Sequence, residues 1–519
     1  MSDRRAVSGP AGARAAGEIV LDGGGLTLED VERVAHGARV RLSPAARERM
    51  EASRAVVEEA IASGRPVYGV TTGFGRLADT AIPRDRLAAL QVNLLRSHAA
   101  GVGEPLPERV TRAIALLRAN TLAAGRSGVR PVLCERILDH LNAGIRPRIP
   151  AQGSVGASGD LAPLAHLGLT LIGEGEAWRD GAWGPAGEAL SAAGVEPLEL
   201  APKEGIALVN GTQAMTAIGA LALLGAERLV EAAEVSGAMS LEAMRGTRAA
   251  LAAAIHDARP HPGQRASAVK LRALLGDTSG IAESHADCGK VQDAYSLRCM
   301  PQVHGAARDA LAHVRRVLEI EVNAVTDNPL VFAEAPEGER IVSGGNFHGA
   351  PVASALDLLA IAVTDLASIS ERRTHALMDP GFSELPAFLA PDPGLQSGFM
   401  MHQVTAAALV SECKALAHPA SVDSIPTSAN KEDHVSMGVW AARKAAQAVE
   451  NAERVIAIEL LAAAQGIDFL RPLESSSPLE AAHRRIRERA PKLEDDRPGS
   501  ADIEAIAELV REGALLALG

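Results

Sequence analysis

Aromatic residues are nearly missing: seven Phe, three Trp and two Tyr amount to 2% of 519 residues, although 47% are hydrophobic. A large core must therefore be filled by aliphatic side chains, with alanine and leucine in the lead. Both are strong helix formers, whereas the aromatic and β-branched residues that suit strands are sparse. A sheet-dominated fold is excluded on that ground.

An excess of basic charge is also missing. The formal net charge is −12, from 52 Lys and Arg against 64 Asp and Glu, which argues against nucleic acid as a partner, because phosphate binding depends on neutralising cations. The one basic run, His483 to Arg489, is followed by Glu494-Asp495-Asp496 and reads as a solvated helix face. The four cysteines, Cys134, Cys288, Cys299 and Cys413, have neither metal-ligand spacing nor a disulfide-dense pattern. They are expected as reduced thiols in a cytoplasmic protein, with no metal bound. Runs of about 18 consecutive apolar residues are absent too, so neither a membrane span nor a signal peptide is expected. The first fifteen residues read as a disordered tail.

What is abundant is helical periodicity. Val110, Ile114 and Leu117 mark a helix from Glu108 to Ala124 with Gly125 as its stop. Val303, Ala307, Leu311, Val314 and Leu318 mark another, broken at Thr326-Asp327-Asn328-Pro329. Val352, Leu356, Leu359, Val363 and Leu366 mark a third, ending near Asp379-Pro380. The stretch Ser436 to Gln465, closed by Gly466, would span roughly 45 Å at ~1.5 Å per residue. Strand-like runs such as Glu18 to Leu21 and Leu330 to Phe332 are few. The expected class is mainly α, an elongated long-helix bundle with a smaller mixed N-terminal domain and few short strands. The expected division is a tail (1–15), an N-terminal domain (16–200), a central long-helix bundle (201–475) and a C-terminal helical segment (476–519). Apolar stripes on such a bundle are commonly buried against partner subunits.

Chemistry gathers in the glycine-rich polar loops. Ala157-Ser158-Gly159-Asp160 precedes an apolar helical pattern, and Ser158 or Asp160 suits a helix cap, with Pro163 in the first turn. The same tripeptide, tightly bent, has a second capability. The Gly159 nitrogen can attack the Ala157 carbonyl carbon, and loss of water from the ring and from Ser158 leaves a methylidene conjugated to an imidazolone. That closure needs glycine at the attacking position and a small residue at the carbonyl. The only two tyrosines, Tyr68 and Tyr295, both lie in polar loops. A chain so poor in aromatics does not use them as filler.

The run "GSVGASGDLAPLAH" from Gly153 to His166 resembles the prosthetic-group motif of the histidine and phenylalanine ammonia-lyase family. Other family-like blocks are "YGVTTGFG" from Tyr68, "KEGIALVNGTQ" from Lys203, "QDAYSLR" from Gln292, "SGGNFH" from Ser343 and "PTSANKEDHVSM" from Pro426. The resemblance covers roughly Val67 to Gln465. It implies a methylidene-imidazolone made from Ala157, Ser158 and Gly159, with no metal and no diffusible cofactor. Tyr68 would be the base that removes the β-hydrogen, and Tyr295 would assist proton transfer or hydrogen-bond the prosthetic group. Arg298 would hold the substrate carboxylate in a bidentate fork. Asn210 and Gln292 would orient the amino acid and hold the imidazolone oxygen. The family also implies a homotetramer whose sites draw on loops of more than one subunit.

Substrate choice rests on Ser97-His98 and Glu432, which resemble the histidine-specific members. Imidazole presents one donor and one acceptor, so a histidine and a carboxylate satisfy both, and Phe347 could pack on its plane. A phenyl ring would leave them unpaired at about 1–3 kcal/mol each. The implied reaction is L-histidine to trans-urocanate and ammonia, the opening step of histidine degradation. Thr71, Lys431 and Ala350 depart from the histidine-lyase pattern and weaken the substrate assignment more than the reaction. The rivals are a phenylalanine or tyrosine ammonia-lyase or aminomutase of the same family, and a non-catalytic helical scaffold.

Overall fold

Helix carries the architecture, as the composition requires. A computed structural model describes residues 17–64, 66–73, 82–179, 181–289 and 291–516. The expected N-terminal tail and the end of the Tyr68 block, Phe74 and Gly75, lie outside the described residues. The chain forms two compact units.

The first unit comprises Met1–Ala217, Glu319–Gly349 and Ser424–Val439. Every described strand falls in it, and each has only two to four residues. Ile19–Leu21 pairs in parallel with Val40–Leu42, Val102–Pro105 runs antiparallel to Pro150–Gln152, and Arg146–Pro147, Glu176–Arg179 and Ala182–Pro185 make a three-stranded sheet. Leu330–Val331 pairs with Ile341–Val342. The helix Glu108–Ala123 is buried on nearly all sides from Ala113 onward, and Gly125 follows it in the left-handed region at φ 71°, as a helix stop should.

The second unit comprises Ile218–Leu318, Ala350–Asp423 and Trp440–Gly519. Long helices fill it, among them Ala350–Met378, Met400–Leu416 and most of Gln213–Ala243 and Gly438–Phe469. The stripe Val352, Leu356, Leu359, Val363 and Leu366 is buried throughout, so the 3.6-residue period located the inner face correctly. Around Glu459, where several helices meet, the polar groups are paired. Glu459, fully buried, accepts from Ser236 (2.9 Å), Ser240 (2.7 Å), Ser370 (2.6 Å) and the Arg373 guanidinium (2.6 and 2.9 Å).

Two expectations need correction. Gly466 does not end its helix, which runs on to Phe469. A Cβ at Gly466 would stand 2.9 Å from the Ala243 Cβ, so this glycine serves close helix packing. The basic run is not a plain solvated face, because His483 (2.8 Å) and Arg487 (2.7 Å) both pair with Asp468. Gln213–Ala243 and Ala350–Met378 are long and apolar enough to cross a membrane by length and composition, yet 89% and 67% of their apolar windows are buried inside the fold, the pattern of core helices.

Candidate active site

The pairing of Pro150–Gln152 with Val102–Pro105 sets Gly153 against Gly101, whose Cα would lie 3.0 Å from a Cβ at Gly153. From there the chain turns through Ala157-Ser158-Gly159 into the helix Leu161–Leu171. Gly159 sits at φ 82°, and a Cβ on it would meet the Gly211 carbonyl oxygen at 2.3 Å. Only glycine fits both the angle and the approach. The two glycines form a parallel bridge, and the Asp160 amide donates to the Gly211 carbonyl at 2.7 Å.

The capping expectation is overturned at this point. Asp160 occupies the N-cap but makes no cap hydrogen bond. Its carboxylate instead accepts from the Met215 amide (2.8 Å) and the Ser154 hydroxyl (3.2 Å). Asp160 is completely buried, and burial pushes its carboxyl up to about 7 against the hydrogen bonds that pull it down. Ser158 does not cap either: its hydroxyl donates to Glu432 Oε1 at 2.7 Å.

Two further contacts lay the Glu432 loop against the residues just before the tripeptide, and a third fixes the carboxylate within the loop. Ser436 donates to the Gly156 carbonyl (2.9 Å), the Met437 amide to the Val155 carbonyl (2.8 Å), and Thr427 holds the other Glu432 oxygen at 2.6 Å. The Ser343–His348 segment arrives beside it. Gly349, two residues after the half-buried Phe347, packs on Met215 and Ser436, and His348 stacks on His434 with centroids 5.8 Å apart. His98 ends the helix Leu87–His98, just before the segment that meets Gly153. Its Nδ1 lies 2.9 Å from the Leu94 carbonyl. The Ser97 hydroxyl lies 3.0 Å from the same nitrogen; with its hydrogen on Nδ1, which suits the carbonyl, the ring's acceptor is Nε2.

Asn210 follows the helix Glu204–Val209. Its side-chain amide donates to the Asn328 carbonyl at 2.9 Å, while its own backbone carbonyl accepts from the buried Arg118 guanidinium. Asn328 also receives the Ser343 hydroxyl (3.2 Å) and the Gly344 amide (2.8 Å), tying the Asn210 and Phe347 loops together. Beneath it, Lys203 pairs with Asp327 at 2.9 Å with both side chains fully buried, and burial holds the Lys203 ammonium below its ordinary value. Tyr68 is half-buried in a turn whose Gly69 packs on Ile206 and Pro329.

The other three expected residues lie in the second unit. Arg298, on the short helix Tyr295–Arg298, donates to the Gln292 side chain and lies over the Tyr295 ring at 4.9 Å. Tyr295 is 73% exposed. The first unit thus carries Tyr68, His98, the tripeptide, Asn210, Phe347 and Glu432, with Glu432 bonded to the tripeptide and Asn210 tied to the Phe347 loop, and the second carries Gln292, Tyr295 and Arg298 as their own cluster.

Chemically, the tripeptide fits the ring closure suggested by its composition. Glycine stands where no Cβ can enter, Ala157 is small and 6% exposed, and the Ser158 hydroxyl rests on a carboxylate. Among the described residues no group of three or more His, Cys, Asp or Glu is arranged to hold a metal ion. Sequence reasoning missed Arg118, Thr427 and the supporting role of Asp327 and Asn328, which it treated only as a helix break. The available signal was Arg118 itself, the one charge in the buried run Ala113–Ala123.

The model of the aromatic amino acid lyase family matches residues 26–488. A histidine ammonia-lyase of Anaeromyxobacter sp. (strain K) is 58% identical over 506 residues, spanning 96% of this chain and 99% of that protein. The crystal structure of histidine ammonia-lyase from Trypanosoma cruzi superposes with a TM-score of 0.90 at 47% identity, covering 96% of this chain and 94% of that one. The tyrosine aminomutase from Streptomyces globisporus gives a TM-score of 0.91 at 41% identity, covering 96% and 98%.

Proposed function

The chain belongs to the aromatic amino acid lyase family, and on that premise we propose that it is a histidine ammonia-lyase, eliminating ammonia from L-histidine to give trans-urocanate. The observation that carries the substrate reading is the 2.7 Å hydrogen bond from Ser158 to Glu432. It supports a site in which an acidic acceptor stands beside the tripeptide, where an imidazole N–H would seek one.

Elimination faces a poor leaving group and a barely acidic β-hydrogen. Ala157, Ser158 and Gly159 would make up the methylidene-imidazolone, which supplies the electrophile that ordinary side chains lack. The helix Leu161–Leu171 begins directly after them, and its N-terminal dipole favours negative charge there. Dehydration of Ser158, the water loss separate from ring closure, would remove its hydroxyl and free Glu432 Oε1 to accept the imidazole N–H of the substrate. His98 Nε2 accepts or donates according to the ring's tautomer, so it can serve either imidazole nitrogen. Phe347 packs on the ring plane. Tyr68 Oη takes the β-proton, Tyr295 assists proton transfer, Arg298 holds the carboxylate in a fork, and Asn210 and Gln292 orient the amine end.

The exposure of Tyr295 supports a homotetramer with sites completed by loops of more than one subunit. Four free cysteines among the described residues support a cytoplasmic compartment. The test pairs two measurements on fresh protein: intact mass, expected to lack two waters, and ultraviolet detection of urocanate from L-histidine. Turnover of phenylalanine or tyrosine well above histidine would overturn the substrate, and a full, unreduced mass would overturn the prosthetic group.

A further inference from the structure

Behind Asn210 lies a guanidinium that the reaction has not used. Arg118 is fully buried in the helix Glu108–Ala123. One nitrogen, Nη1, donates both to the Asn210 carbonyl and to Gln213 Oε1 at 3.2 Å. Gln213 is fixed in turn by its amide, which donates to Thr121 (3.1 Å) and Thr326 (2.8 Å). The next residue, Gly211, makes this possible: at φ 146° a Cβ would fall 2.3 Å from Gln213 Oε1 and 2.8 Å from Arg118 Nη1. Gly211 is also the residue whose carbonyl receives the Asp160 amide at 2.7 Å.

Burying a guanidinium this completely is costly. Its acidity shows it, since burial pulls the group down to about 10 although Asp327 lies close enough to raise it. Nε and Nη2 find no protein acceptor among the described residues, and each such donor costs about 1–3 kcal/mol. A stability role alone is a poor account of a group that loses so much to be where it is. Its one well-placed nitrogen acts on a single peptide group, Asn210–Gly211.

We infer that Arg118 is a positioning residue for the lyase reaction: it locks the Asn210–Gly211 peptide plane, and through it both the Asn210 side chain and the Gly211 carbonyl against which Gly159-Asp160 is laid. This rests on the reading of Asn210 and the tripeptide given above. Two arms follow. Through the Asn210 side chain, Arg118 acts on turnover. Through the Gly211 carbonyl, it acts on the bend that ring closure requires. Lysine retains the charge but lacks the planar group that fixes the directions of the two Nη1 hydrogens.

The experiment is a double-mutant cycle in the full chain with Arg118→Lys and Asn210→Ala, read by intact mass, thermal unfolding and urocanate kinetics per matured chain. Arg118→Lys is expected to unfold within a few degrees of the parent, to mature incompletely by mass, and to lower kcat about tenfold with KM changed less than threefold. In the Asn210→Ala background its effect on kcat vanishes while its effect on the mass persists, because the backbone carbonyl is still there. Additive kcat losses, or an Arg118→Lys protein with full maturation and parental kcat, overturn the inference. If Asn210→Ala is too slow to assay, the mass readout decides alone. An unsubstituted chain that neither matures nor turns over histidine would sink the functional reading instead, so the two failures are distinct.

Discussion

Asp160 gives this protein a pH-dependent weakness whose size follows from its burial. The carboxyl, ordinarily ionising at 3.8, is pushed up to about 7 in the folded chain. As the pH rises, the unfolded chain releases this proton first, so between about pH 4 and 7 the folded state holds a proton that the unfolded state has lost. The contribution to stability therefore declines as pH rises through that window and levels off above the folded value. At ~1.4 kcal/mol per tenfold, the full penalty is on the order of 4 kcal/mol, of which roughly 3 falls between pH 5 and 8. Asp160→Asn does not titrate, and its amide can keep an oxygen toward the Met215 N–H while turning its NH2 to the Ser154 hydroxyl. Urea unfolding at one protein concentration, followed by the fluorescence of the three tryptophans, would give both stabilities at each pH. The parent-minus-variant difference should shrink by about 3 kcal/mol from pH 5 to pH 8. A difference that stays flat across that range refutes the reasoning.

Other substitutions probe other parts of the site. Gly159→Ala forces a Cβ to within 2.3 Å of the Gly211 carbonyl, so its intact mass should keep both waters and urocanate should not form; a normal mass would show that the bend is not required. Glu432→Gln weakens a charge-assisted acceptor, and kcat/KM for histidine should fall about 10- to 100-fold, from ~1.5–3 kcal/mol, with no fall for phenylalanine. Equal losses on both substrates would refute the specificity role. Lys203→Met strands Asp327 at zero exposure and should cost about 3–5 kcal/mol, seen as a lower Tm in calorimetry that Asp327→Asn largely restores. An unchanged Tm would mean that the pair does not hold this loop.

The fold was legible wherever a period carried it. The stripe from Val352 to Leu366 could be placed because one buried face of a regular helix repeats in sequence. Gly466 could not, because glycine against a crossing helix and glycine at a helix end look alike until the neighbour, Ala243, is known. Within the site, Gly159 was readable from the chemistry of ring closure, yet the need for it at Gly211 was not. Ser158 and Glu432 are 274 residues apart, and no local rule joins them; only the resemblance of their two blocks to one family did. Aspartate before a helix commonly caps, so the sequence suggests a cap at Asp160, and only burial against Met215 shows it redirected. Asp327 was visible as part of a break, while its pairing with Lys203, 124 residues away, belongs to tertiary structure alone.

The Ser158–Glu432 hydrogen bond also sets an order of events. While the serine keeps its hydroxyl, the acceptor that would greet a substrate is already taken by the chain itself. On the function proposed above, a freshly folded, uncyclised molecule would be its own plug, blind to histidine until the same dehydration that arms the site also vacates the acceptor.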